Sequence, residues 1–256
     1  MIYKRVAARL KAQDWLAITI ELGIVVVGVF IGTQVSNWNA GRLEKVESQR
    51  MLAQLKPNLQ SLTDYYESAR VYYATTRRYA TTAFAGWRGD PKVSDQDFVI
   101  AAYQASQVLG LGTNGSTWAT VLGADQLRGI DNLAIRNDLS FLMSADYTQF
   151  DIPAVNTPYR PGVRRLIPVD IQDAIRAQCG DYPDPRKPLF FTLPPTCNLK
   201  IAADAAAKAA VILRGHPELA EDLQWHMAAQ AALLTNLIPY ENITVDLNRR
   251  IAHIKE

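Results

Sequence analysis

Trp15–Trp38, WLAITIELGIVVVGVFIGTQVSNW, is the stretch from which the rest of this 256-residue chain is read. The residues from Trp15 to Val35 make about 30 Å of helix at ~1.5 Å per residue, the thickness of a bilayer's hydrocarbon core. Trp15 and Trp38, with Asn37 and Asn39 beside the second, then fall where aromatic and polar side chains meet lipid headgroups. A cleaved signal peptide would have an apolar run of roughly 7–15 residues and a small-residue cleavage site. This run is longer and closes in Gln34, Asn37 and Asn39, so an uncleaved anchor is expected.

The flanks set the expected orientation. Residues 1–14 carry Lys4, Arg5, Arg9 and Lys11 against Asp14, whereas the other flank mixes Arg42, Lys45 and Arg50 with Glu44 and Glu47. Four cations against three favour a cytoplasmic N-terminus by a small margin. The two cysteines, Cys179 and Cys197, lie on the other side, as an oxidising periplasm would suit. Residues 1–14 are thus read as a cytoplasmic tail, 15–38 as a transmembrane helix and 39–256 as the periplasmic part of a bacterial inner-membrane protein.

Within the span, Gly28 and Gly32 have the small-x3-small spacing that lets two helix backbones approach closely. Glu21, Val25 and Val35 share their face, so these five residues are the candidate helix–helix interface. A carboxyl group at this depth costs about 2–3 kcal/mol. Three readings of Glu21 stay open: pairing within an assembly, protonation or escape to a thinned interface, and a role in proton conduction.

The run Glu21-Leu22-Gly23-Ile24, then Val25 through Gln34, closing in Asn37-Trp38-Asn39, resembles an uncharacterised family of bacterial single-span inner-membrane proteins. Its span reads E-x3-VV-x-G-x2-I-[GA]-x-Q-x2-NWN, after a short basic tail and before a mostly helical extracytoplasmic region. The match covers about 25 residues, with a weaker echo at 122–147. The resemblance implies topology and no activity.

Composition narrows the function classes. Net charge is +2 with 20% charged residues, without the strongly basic face that nucleic acid demands. After the span, Leu52, Leu55, Leu59, Leu62, Tyr66, Ala69, Tyr73, Thr76, Ala80, Ala83 and Trp87 alternate by three and four. That period predicts a long helix packed along a long neighbour, with a kink or restart near Pro57. The aromatic run Tyr65, Tyr66, Tyr72, Tyr73, Tyr79, Phe84 and Trp87 is read as core, with a ligand platform as the rival.

A turn at 86–91 is followed by Ser94, which reads as an N-cap with Asp97 at N3. The glycine-rich 110–116 lacks the Lys and preceding strand of a phosphate loop. Two short helices are expected at 117–127 and 133–143, the second capped by Asp131. Residues 39–150 thus hold the long helix and short helices. Residues 151–198 form a second zone holding nine of the thirteen prolines. Only Val169–Gln178 reads as helix there, with short strands near 188–192. Cys179 and Cys197 bracket a proline-rich loop and are expected to form a disulfide; a metal site is the rival, but no His lies within the loop. Residues 199–256 return to helix in three pieces, 199–214, 218–237 and 240–254. The expected fold is mainly α: one transmembrane helix continuing into a periplasmic helical bundle with a disulfide-closed loop.

Chemistry is sparse. His216, His226 and His253 are scattered, and an Asp222/His226 pair reads as a surface or capping contact. No nucleophile, zinc or nucleotide motif is present, so neither an enzyme nor a cofactor is expected. The partners expected are the bilayer and either a second copy or other membrane subunits. The leading function is a membrane-anchored interaction protein; the alternative is a periplasmic ligand-binding or sensing module relaying through a partner.

Overall fold

The computed structural model describes residues 15–109, 127, 129–145, 150, 156–184 and 187–253. The basic tail, the 110–116 stretch and the expected 117–127 helix, save Leu127, lie outside the described residues, as do the side chains of 15–18 and 187–189.

The chain is mainly helical, with seven helices and one two-stranded sheet among the described residues. Helix α1, Trp15–Trp87, is a single element of 73 residues, about 110 Å long at ~1.5 Å per residue. It is apolar enough near its N-terminus to cross a membrane, with a mean hydropathy of 1.7 over its most apolar window. Pro57 does not restart it. Both Pro57 and Ala53, whose carbonyl loses its partner, are exposed, so water can take over the hydrogen bond that proline removes.

The three-four stripe from Leu52 to Ala83 is buried throughout, and Trp87 is partly buried against it. Its long neighbour is α7, Glu218–Ala252. Asn248 Nδ2 donates to Thr63 Oγ1 at 3.1 Å, Arg70 pairs with Glu241, and Thr76 Oγ1 donates to Gln230 Oε1 at 3.0 Å. Partners fall along α7 as they rise along α1, so the pair is antiparallel. The break expected before Tyr240 is absent, because Pro239 and Thr235 both face solvent and the freed carbonyl is again exposed.

At the far end of α1 the backbone turns through a Schellman motif: Asp90 N–H donates to Ala85 O at 3.0 Å and Gly89 N–H to Gly86 O at 3.2 Å. Gly89 sits at φ +71°, where a side chain would strain the turn. Helix α2, Asp95–Ala105, follows, capped by Ser94, whose hydroxyl accepts from Asp97 N–H at 3.1 Å. It lies close enough that a Cβ on Gly86 would come within 2.1 Å of the Phe98 ring.

Helix α3, Leu133–Ser144, is capped by Asn132, not Asp131. Asn132 Oδ1 accepts from Ala134 and Ile135 N–H, while Asp131 pairs with Lys45 at 2.9 Å. The loop before it presses on α1: a Cβ on Gly129 would stand 2.5 Å from the Glu44 carbonyl oxygen.

The proline-rich zone holds more helix than its composition suggests. Helix α4, Tyr159–Leu166, contains Pro161 at its third position, where an N–H has no intrahelical acceptor anyway. Helix α5, Val169–Cys179, starts after Pro168 as expected. Strands β1, Tyr182–Asp184, and β2, Lys187–Thr192, pair antiparallel with a bulge at Pro183/Asp184. Cys179 and Cys197 form a disulfide across a separation of 18 residues, with the hairpin inside the closed loop. Helix α6, Ala203–Arg214, begins four residues later than expected and meets α1 where Trp87 Nε1 donates to Leu213 O at 2.9 Å.

Candidate interaction face on the long helix

Residues Thr19–Ala40 are exposed along their whole length. A helix advances about 100° per residue, which puts Glu21, Val25, Gly28, Gly32 and Val35 within one arc of roughly 80°. A Cβ built on Gly28 or Gly32 meets nothing within 4 Å. The glycine groove is therefore open among the described residues, and no part of the described chain folds back to fill it. Asn37, Trp38 and Asn39 are likewise exposed at the end of the apolar run, Trp38 at 69%. Trp15 belongs to the helix backbone, but its side chain lies outside the description.

Sequence reasoning missed a buried polar layer between α2, α4 and α7. His226 is fully buried, not at the surface with Asp222. Gln230 Nε2 donates to His226 Nε2 at 3.0 Å, so His226 is neutral and carries its proton on Nδ1, 2.8 Å from Thr157 Oγ1. Burial, with Arg160 adding to it, pulls the imidazole down to about 4. Gln230 Nε2 also donates to Gln107 O at 3.3 Å.

The layer continues toward the disulfide. Arg164 Nη2 donates to Gln107 Oε1 at 2.8 Å, Gln107 Nε2 to Gln104 Oε1 at 3.3 Å, and Gln104 Nε2 to Cys179 O at 2.5 Å. Arg160 Nη1 donates to Ser106 O at 2.9 Å, and Arg164 Nε to Ser106 Oγ at 3.0 Å. Two guanidinium groups thus serve the C-terminal end of α2, where unpaired carbonyls concentrate negative charge. The Arg164 guanidinium also lies over the Tyr103 ring at 4.7 Å, and burial lowers its basicity. With its donors and acceptors matched to one another, this layer sets how the elements register. Only the local spacings of His226 with Gln230 and of Gln104 with Gln107 could have hinted at it; the other partners are distant in sequence.

The aromatic stripe is core. Tyr66, Tyr72, Tyr73 and Tyr79 are buried, and Tyr65, Phe84 and Trp87 pack against them. A shallow groove of about 490 Å³ lies where Asp64, Glu67 and Tyr72 of α1 face Phe190 and Phe191 of the hairpin. No cluster of three or more His, Cys, Asp or Glu side chains suited to a metal occurs among the described residues.

No protein family, curated protein or solved structure matches this chain. Among the described residues, a continuous run of exposed apolar side chains from Ile20 to Val35 carries the glycine pair and the carboxylate and ends in Asn37-Trp38-Asn39.

Proposed function

We propose that this is a membrane-anchored periplasmic interaction protein, an accessory or self-associating subunit of an inner-membrane assembly. The observation that carries the reading is the bare Gly28/Gly32 groove on a helix otherwise clothed in Val, Ile, Leu and Phe. In lipid there is no hydrophobic drive between helices, so backbone approach at small residues and a shared polar group are what hold helices together. Glu21 on that face is better accommodated against a partner than in acyl chains. Residues 39–256 act in this reading as a periplasmic helical bundle of α1, α2, α3 and α7 with a proline-rich insertion. The disulfide suits an oxidising compartment, and the resemblance of the span to uncharacterised single-span inner-membrane proteins points the same way.

Purification of the full chain in mild detergent tests it. A stable oligomer or a defined co-purifying partner is expected, lost on Gly28→Leu; a strictly monomeric chain indifferent to Gly28→Leu overturns it. A reporter fused after Glu256, active only in the periplasm, tests the orientation.

One observation favours a sensing role as the second reading: the groove of about 490 Å³ between α1 and the disulfide-held hairpin offers both aromatic and carboxylate groups. A metabolite screen by thermal shift on the full chain tests it, and no stabilised hit argues against it.

A further inference from the structure

We infer that the face presented by Gly28 and Gly32 continues out of the bilayer along α1 as a docking surface for a second copy of this chain, centred on Leu43 and Val46. This rests on the membrane-anchored interaction reading above and extends it to the partner and to the water-exposed part of the helix.

The geometry follows from α1 being unbroken. The residues from Gly28 to Val46 complete about five turns, so Val46 lies directly below Gly28 along the helix. Asn39, Leu43, Arg50 and Ala53 fall within the same arc of roughly 80° as Glu21, Val25, Gly32 and Val35. All are exposed. Leu43 is 57% and Val46 47% exposed beyond the end of the apolar run, where water rather than lipid surrounds them. The chain's own packing uses the other side. Ser48, Met51, Leu52 and Leu55 are buried roughly half a turn away around the helix. The Gly129 loop and the Lys45–Asp131 pair also sit on that side. Around Leu43 and Val46 the described packing thus lies behind α1; farther out the hairpin comes round to the front near Asp64 and Ser68, so the front is open to a parallel copy from the span to about Pro57.

Charge argues for that copy. In parallel packing with Leu43 and Val46 as successive core positions, Arg42 precedes the first and Glu47 follows the second. These are the flanking positions at which one helix faces the other with an offset of five residues. Arg42 of each chain then meets Glu47 of the other, twice by symmetry. Both side chains are exposed, and neither has an ion-pair or hydrogen-bond partner among the described residues. Lys45, on the flank that the chain itself covers, is already matched with Asp131.

Cysteine cross-linking of the full chain in native membranes tests this, since the natural cysteines are bonded to each other. Under mild oxidation Val46→Cys is expected to give a disulfide-linked dimer at a yield at least about fivefold above Lys56→Cys, which is exposed on the flank. Arg42→Glu should lower the Val46→Cys yield about threefold, and Glu47→Arg added to it should restore the yield, as matched flanking charges select partners. Equal yields at Val46 and Lys56, a cross-link to a different protein, or no recovery in the double reversal overturns the inference. If Gly28→Leu disperses an assembly while Val46→Cys yields no dimer, the span reading stands and this one fails. If neither variant has an effect, both fail.

Discussion

Gln230 Nε2 donates a 3.0 Å hydrogen bond to His226 Nε2 one turn away on the same helix, an acceptor that only the neutral imidazole offers, and burial, with Arg160 adding to it, favours that neutral form. Because its proton affinity is lowered to about 4 from the usual 6.5, the unfolded chain binds the proton more readily than the folded one between those values. Stability is therefore full above about pH 6.5, falls as pH drops toward 4, and levels off below. The shift corresponds to about 3 kcal/mol. Urea midpoints of the detergent-solubilised chain between pH 4 and 7.5 should show this slope, and His226→Gln should flatten it. An unchanged slope in the variant would assign the acid sensitivity to other groups.

Reducing the Cys179–Cys197 bond should loosen the hairpin wall. Its loop is short, so the chain-entropy model gives about 3 kcal/mol, equivalent to roughly 6–12 °C in melting temperature for a domain of this size. Thermal melts with and without reductant, beside a Cys197→Ser variant, measure it; identical melts would remove the bond from the stability argument.

Two glycines should respond oppositely to the same methyl group. Gly86→Ala drives a Cβ to 2.1 Å from the Phe98 ring, an overpacking expected to cost about 1–3 kcal/mol. Gly28→Ala meets nothing within 4 Å and should leave the monomer's denaturation curve unchanged while weakening whatever association the groove supports. Circular dichroism melts report the first, and detergent size-exclusion the second.

Leu59 and Leu43 make a similar contrast on one helix. Leu59→Ala empties a fully buried site and should cost about 2–5 kcal/mol, whereas Leu43→Ala, exposed in the single chain, should stay within about 0.5 kcal/mol in a dilute monomer. A larger effect at Leu43 that grows with protein concentration would point to the second copy.

Period carried most of what was legible. The three-four alternation from Leu52 to Ala83 is buried as read, because a continuous stripe has only one face to offer a neighbour. The Ser94 cap and the cysteine pair were also readable, since each is a local or pairwise signal. Prolines misled as helix ends: those at 57, 161 and 239 all lie inside helices, two on exposed turns and one in a first turn, where the missing N–H is tolerated. The cap fell to Asn132 instead of Asp131 because the helix starts at Leu133, directly after it, and a one-residue boundary is not legible in sequence. The layer around His226 was illegible for a different reason, as its partners at 104, 107, 157 and 164 come together only once the fold is made. Of the candidate face, Gly28 and Gly32 were plain in the sequence, but its clearance from the rest of the protein was not, because that depends on which side of α1 the core occupies.

Helix α1 passes from apolar span to packed core without a joint, and this makes it a lever. Residue Trp87 stands about 75 Å from Trp38 along the axis. A tilt of the apolar segment by about 5° would therefore carry the far end sideways by about 6 Å, and a rotation of that segment would turn the packed region by the same angle. Whatever tilts or turns the apolar arm is therefore carried, magnified, to the end of the helix that holds the core.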